Sequence, residues 1–170
     1  MVYMLIETKR LIICEFKLDM AYDVHINSLD EDTRRFVPDE VFETEQDAYE
    51  TIEYLMSVYS THEGPLVYPI LLKEDVNIGY VQLVPLNEEE YEIGYHIAKK
   101  HTKKGYATEA VNAFLIHLKS LGLKNIFGIT LSNNYASIKV LEKTGFKQVF
   151  KGISTYQDEE KEIVKYIYDF

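Results

Sequence analysis

The chain of 170 residues has a single cysteine, Cys14. One cysteine excludes an internal disulfide framework and suits a reducing compartment, so a cytoplasmic location is expected. Cys14 lies in the apolar run Leu11–Phe16 and reads as a small buried hydrophobe rather than a nucleophile. No apolar run approaches the roughly 18 residues that cross a bilayer. The patch Val2–Ile6 is followed at once by Glu7, too short for a secretory leader and without a small-residue cleavage site. A membrane partner is therefore not expected. Basic residues are also scarce, 18 against 28 acidic ones, for a formal net charge of −10. Binding to nucleic acid needs clustered Lys and Arg at the phosphates, so that partner is not expected either, whereas an acidic protein suits a cationic substrate such as an amine.

Several motifs are missing as well. Without G-x-x-x-x-G-K-[ST] or G-x-G-x-x-G, neither a P-loop NTPase nor a dinucleotide-binding Rossmann domain is supported. There is no G-x-S-x-G to place a serine nucleophile. His25, His62, His96, His101 and His117 lack a metal-ligand spacing, so no metal is expected. Repeats, low-complexity tracts and Gly/Ser linkers are absent too, and residues 1–170 read as one domain long enough to bury a core.

The composition, 46% hydrophobic and 13% aromatic, is that of a folded chain. Leu11–Phe16 reads as a strand, and Asp19 caps a helix running to about Ser28. The stretch 29–42 shows little periodicity and reads as a connection. Thr44 and Asp47 form a capping-box-like pair ahead of Ala48, Ile52, Leu55, Met56 and Tyr59 at helical spacing. Leu66–Lys73 and Val76–Val84 read as strands joined at Glu74-Asp75, with Pro69 implying an edge position or a bulge. Tyr91–Ala98 is the next strand. A helix from Gly105 to Leu121 stops at Gly122. Asn125–Leu131 reads as a strand, Ala136–Thr144 as a short helix, and Phe146–Phe150 and Glu162–Tyr168 as strands. The order is β-α-α-β-β-β-α-β-α-β-β, a mixed α/β fold with a mostly antiparallel central sheet and flanking helices. The Tyr and Ile residues of the last strand suit a homodimer edge and core packing equally.

Four lysines, Lys99, Lys100, Lys103 and Lys104, fall within six positions of this acidic chain. They flank HTKKGYATEA, residues 101–110, where a strand leads into an amphipathic helix. A helix start carries unpaired N–H groups and partial positive charge, and Gly105 lets backbone approach a ligand with no Cβ between. The stretch reads either as a phosphate-binding turn or as a loop with solvated lysines. His96 and His101 flank it and read first as structural.

YEIGYHIAKKHTKKGYATEAVNAF (91–114) closely resembles the central motif of the GNAT N-acetyltransferases, in particular the branch that acetylates ribosomal-protein N-terminal Ala or Ser. The resemblance continues through SNNYASIKVLEKTGF (132–146), which matches the family's N-x-x-S and K-x-G-F, and ETKRLIICEF (7–16) looks like its first strand. It implies a GNAT-like fold and acetyl-CoA as co-substrate. By position, the backbone of Lys103, Lys104, Gly105, Tyr106, Ala107 and Thr108 would cradle the pyrophosphate. The strand end near Ile97 would bind the pantetheine arm and supply an oxyanion donor, and Asn134 would contact CoA. Two positions depart from the pattern: Thr102 stands where Arg or Gln is frequent, and Lys103 where the first glycine is usual.

The resemblance also implies the catalytic groups. Glu92 matches a glutamate that deprotonates the amine, often through water, against the plain alternative of an outward-facing strand residue. The tyrosine that protonates the thiolate in many members is Leu141 here, so Ser137 is the implied acid; a role for Ser137 in beginning the short helix is an equal alternative. Tyr135 is nearby. An α-amine has a pKa near 7.7–8.0 against about 10.4 for lysine, a difference of ~3.5 kcal/mol in reaching the neutral nucleophile. A protein N-terminus or weakly basic small amine is thus the easier acceptor, seated between 29–42 and the C-terminal strand. The alternatives are a polyamine- or aminoglycoside-type acetyltransferase and a non-catalytic acyl-CoA-binding module.

Overall fold

The computed structural model describes residues 3–170; Met1 and, from the N-terminal apolar patch, Val2 lie outside the described residues. The strands are β1 (Leu5–Glu7), β2 (Leu11–Cys14), β3 (Leu66–Leu72), β4 (Asn77–Pro85), β5 (Tyr91–Ile97), β6 (Asn125–Leu131), β7 (Lys147–Tyr156) and β8 (Glu159–Asp169). The helices are α1 (Ala21–Ser28), α2 (Glu31–Phe36), α3 (Glu45–Thr61), α4 (Tyr106–Ser120) and α5 (Tyr135–Lys143). All strands join one sheet in the order β1-β2-β3-β4-β5-β6-β8-β7, antiparallel except for β5 and β6. Those two are parallel and joined through α4, as a parallel pair requires a crossover.

Alternation along the strands assigns the two faces of the sheet. Tyr68, Ile70, Val81, Leu83, Ile93 and Ile97 pack with Val111, Phe114 and Leu118 of α4 and Leu141 of α5. Residues of opposite parity, Val67 and Tyr80, join Phe16, Ala48 and Ile52 in a smaller core beneath α1 and α3. The helix α3 begins with the expected capping box, Thr44 accepting from the Asp47 N–H and Asp47 from that of Thr44, an arrangement that satisfies two orphan donors at once.

The structure departs from the sequence reading, or decides between its alternatives, in five places. A short β1 pairs with β2 ahead of the first expected strand. The connection 29–42 contains α2, whose N-cap Asp30 accepts from the Thr33 N–H. β3 is not an edge strand, but its ladder to β2 covers only Ile70–Leu72. Pro69 therefore sits at a local edge, next to the register shift at Ile70/Leu71, where its missing N–H costs no ladder bond. β7 and β8 extend well past the expected limits into a long hairpin turning at Gln157 and Asp158. Finally, β8 lies between β6 and β7 with Ile163, Val164 and Tyr166 buried, so core packing rather than a dimer edge accounts for its apolar residues. Cys14 is half-buried, and burial raises its pKa, in keeping with a packing role.

Candidate functional site

The parallel strands β5 and β6 pair only at Glu92 and Phe127. Beyond that point their C-terminal halves part, and a cleft of about 210 Å3 opens through the sheet. Its walls come from Glu92–Ile97 of β5, Gly128–Thr130 of β6, Thr102 and Ala107 of the lysine-flanked turn, and Asn134 and Ser137 at the start of α5. Three segments singled out from sequence are thus assembled around one opening. It is closed on the remaining side by Asp32, Phe36 and Val37 and by Tyr156 of β7. The Gln157 side chain donates to the Phe36 carbonyl at 2.9 Å, tying the β7–β8 hairpin to α2.

At one end of the cleft Gly105 precedes α4 with φ 81°, and no side chain caps the helix. Lys103 is also left-handed, with φ 62°. A helix start of this kind keeps its first N–H groups free for an anion. Lys103 and Lys104 are exposed there, whereas Lys99 is engaged with α2, its ammonium 2.9 Å from Glu31 and its N–H donating to Asp30. The turn is held from behind by Arg10, which bonds Glu109 at 2.6 Å, donates to the Lys104 carbonyl at 2.9 Å and stacks over Tyr106. Thr8 donates to the same Glu109 at 2.6 Å. The sequence reading missed this clamp, although its two halves stand in the ETKRL and YATEA segments.

Parity along β5 sends its polar groups to opposite faces. Ile93, Tyr95 and Ile97 pack toward α4 and α5, so Glu92 and His96 point to the α1–α3 face together with Tyr80 and Gln82 of β4, to whose strand they are registered. Glu92 is half-buried, and burial pushes its carboxyl up to about 7, against the opposing pull of the Ile129 N–H and the Lys165 ammonium. Glu92 is therefore a cleft residue, not an outward-facing one. Tyr156 stands close enough to Glu92 and to Glu40 for both carboxylates to raise its pKa, after burial, to about 12.

On the opposite face the Tyr95 hydroxyl donates to the Ser137 carbonyl at 2.8 Å and lies 3.0 Å from Ser137 Oγ. Burial raises the Tyr95 pKa, so the phenol holds its proton at neutral pH. Asn134 is the N-cap of α5: its Oδ1 accepts from the Ser137 N–H at 3.2 Å, which leaves Nδ2 as the donor toward the cleft. Leu141, where a tyrosine was sought, is 1% exposed. It seats against Gly128, where a Cβ would fall 2.5 Å from Leu141 Cδ2, so this pair is a packing device and the phenol nearest the serine comes from β5 instead. Tyr135 is 75% exposed at the helix start. His96 is bonded to Thr33 at 2.9 Å and is held neutral chiefly by burial; it anchors α2 to β5. Tyr80, Tyr95 and Tyr156 were not found from sequence, because only the register of β4, β5 and β7 brings them to the cleft.

A sheet parted at one parallel pair, with a glycine-led and uncapped helix start at the opening, sets an anion-binding helix end beside a cleft. Comparisons with known proteins give the class. The profile of the acetyltransferase (GNAT) domain matches residues 10–147. The uncharacterized N-acetyltransferase YnaD of Bacillus subtilis (strain 168) is 30% identical over 146 residues, covering 84% of this chain and 82% of that protein. The crystal structure of an acetyltransferase (GNAT family) from Bacillus anthracis matches with a TM-score of 0.84 and 26% identity over 98% of both chains. RimL, a ribosomal L7/L12 alpha-N-protein acetyltransferase solved in complex with coenzyme A, has the same fold, with a TM-score of 0.82 at 13% identity over 98% of both chains. The chain belongs to the GNAT acetyltransferase family.

Proposed function

We propose that the protein transfers an acetyl group from acetyl-CoA to a primary amine, with an α-amino group as the preferred acceptor. The observation that carries this reading is Glu92, a carboxyl pushed up to about 7 inside the cleft that leads from the uncapped start of α4. The residues present fit the co-substrate. Gly105 offers no Cβ, the helix start offers N–H groups to the pyrophosphate, and Ile97, Ala107, Asn134 and Ser137 continue the lining inward. In this reading the backbone of Lys103, Lys104, Gly105, Tyr106, Ala107 and Thr108 holds the pyrophosphate, and Asn134 Nδ2 donates to the arm.

Acetyl-CoA, when bound, supplies a thioester acyl group. Glu92, on the α1–α3 face, takes the proton from the attacking amine, directly or through one water. Its raised pKa lies close to that of an α-amine, about 7.7–8.0, so the transfer is nearly balanced in energy. A lysine side chain would need roughly 3.5 kcal/mol more help to become neutral. Ser137 and Tyr95, on the opposite face, form a hydrogen-bonded hydroxyl pair that can deliver a proton to the departing sulfur. Base and acid thus stand on opposite sides of the parted sheet. The fold likeness to an alpha-N-protein acetyltransferase supports the same acceptor class.

Thiol release, measured with acetyl-CoA across a panel of N-terminal peptides, aminoglycosides, polyamines and simple amines, tests the reading. Peptide α-amines are expected to turn over fastest. Faster acetylation of polyamines or lysine side chains overturns the acceptor assignment. Acetyl-CoA binding with no release on any amine overturns catalysis in favour of a binding module. Tyr95→Phe is expected to lower kcat at least about tenfold while leaving the KM for acetyl-CoA within about twofold; an unchanged kcat removes the phenol from the proton path.

A further inference from the structure

A second chamber, of about 260 Å3, lies under α1, α2 and α3. It is smaller than the roughly 300–1,000 Å3 of sites that enclose a whole ligand, a size for part of one. Phe16, Val24, Phe42, Ile52, Leu55 and Val67 make its walls largely apolar. It meets the reaction cleft at Tyr80, Gln82 and His96, which line both spaces. By strand parity these are the residues that share a face with Glu92, so an amine at Glu92 has its substituent directed toward this chamber.

Three features describe what belongs inside. Asn77 is 3% exposed and lines the chamber, yet its Nδ2 has no partner among the described residues. Its orientation is fixed, because its Oδ1 accepts from the Gly79 N–H at 3.0 Å. A buried donor left unpaired is costly, and a ligand carbonyl or hydroxyl oxygen would satisfy it. The lining includes the carboxylates Asp39 and Glu40 and no Lys or Arg, which disfavours an anion. Tyr80 already donates to Glu40, but a carboxyl has further acceptor capacity for a donor on the ligand.

Resting on the acetyl-transfer reading above, we propose that this chamber is the acceptor's specificity pocket: it takes a bulky, apolar, uncharged substituent next to the reacting amine, bearing an oxygen for Asn77, and rejects acidic ones. The chemistry is met by a peptide N-terminus with a large apolar first residue and by a small apolar amine carrying a hydroxyl or carbonyl. The apolar walls supply the affinity, Asn77 and Glu40 the orientation.

The test uses the full chain, with dissociation constants measured by calorimetry on the Glu92→Gln variant and thiol release measured on the wild type. Peptides identical except for a first residue of Gly, Leu, Phe or Glu form one arm. Ethanolamine, leucinol and phenylalaninol form the other. Leu and Phe peptides are expected to bind at least about tenfold more tightly than the Gly peptide, the discrimination a hydrophobic pocket gives, with the Glu peptide weakest. Thr51→Phe, which adds bulk at a lining position on α3, is expected to abolish that preference while leaving the Gly peptide within about twofold. Equal binding across both arms, or a preference that survives Thr51→Phe in a folded variant, overturns the proposal. A gradient in the peptide arm alone identifies a peptide source, and one in both arms identifies the apolar body as sufficient. A binding gradient without thiol release leaves the pocket standing and sinks acetyl transfer, whereas thiol release with no gradient does the reverse.

Discussion

Glu92→Gln is expected to lower kcat by roughly 10²- to 10⁴-fold, the usual loss on removing a general base, with the KM for acetyl-CoA little changed. The amide keeps the size of the side chain but cannot take a proton. In the wild type, kcat should rise with pH through the carboxyl's own titration near 7 and level above it, because the base acts only when ionised. The variant should lose that limb. An unchanged rate at every pH excludes Glu92 as the base. The same group makes a stability prediction of definite sign. Its folded pKa, about 7, lies above its ordinary value of 4.5, so the fold favours the protonated form. The stability this confers is present below about pH 4.5 and is lost as pH rises through 7. Chemical denaturation should therefore find Glu92→Gln more stable than wild type at pH 8, by up to about 3 kcal/mol, with the gap closing toward pH 4.5. A slower but sturdier variant marks a buried carboxylate kept for its chemistry.

The same residue shows where sequence reading succeeds and where it stops. The element order along the β5–α4–β6–α5 segment was legible because apolar residues recur at the spacing of the element that holds them, as in Ala110, Val111, Phe114, Leu115 and Leu118, all buried on α4. The helix α2 was not legible. Its sequence EDTRRF has no apolar repeat, and its only buried residue is Thr33. It forms through the Asp30 cap and through tertiary bonds, Thr33 to His96 and Asp30 to the Lys99 N–H. The extension of β7 was hidden for a related reason: as the outer strand of the sheet it is mostly exposed, so no apolar alternation marks it.

At the proposed site, the residues contributed by contiguous motifs could be named from sequence, and those assembled across the sheet could not. Glu92, Ser137, Asn134 and the Gly105 turn lie in segments that resemble the family's motifs, and their proposed roles come from that resemblance. Tyr95 lies in the same segment, but its bond to Ser137 spans 42 residues, and the Arg10–Glu109 clamp spans 99. A register error of one residue in β5 would send Tyr95 to the wrong face. Asn134 lines the cleft and caps α5 through Oδ1, and the cap leaves its amide nitrogen without a part in the helix start.

The turn at Gly105 makes the second large prediction, because several physical terms act there in the same direction. Its φ of 81° is one that a residue with a Cβ adopts at a cost of about 1 kcal/mol or more. The added Cβ would lie 3.4 Å from Arg10 Nη2, tight but tolerable. Gly105→Ala should therefore fold with a modest drop in Tm and weaken acetyl-CoA several-fold by crowding the backbone where the pyrophosphate approaches. Gly105→Glu adds a carboxylate at the positive end of α4, where it occupies the anion's place and repels it. Acetyl-CoA binding measured by calorimetry should fall beyond detection, at least about 100-fold, while the circular dichroism spectrum stays that of the wild type. Near-normal affinity in a folded Gly105→Glu protein would place the pyrophosphate elsewhere and remove the α4 start from the cofactor site.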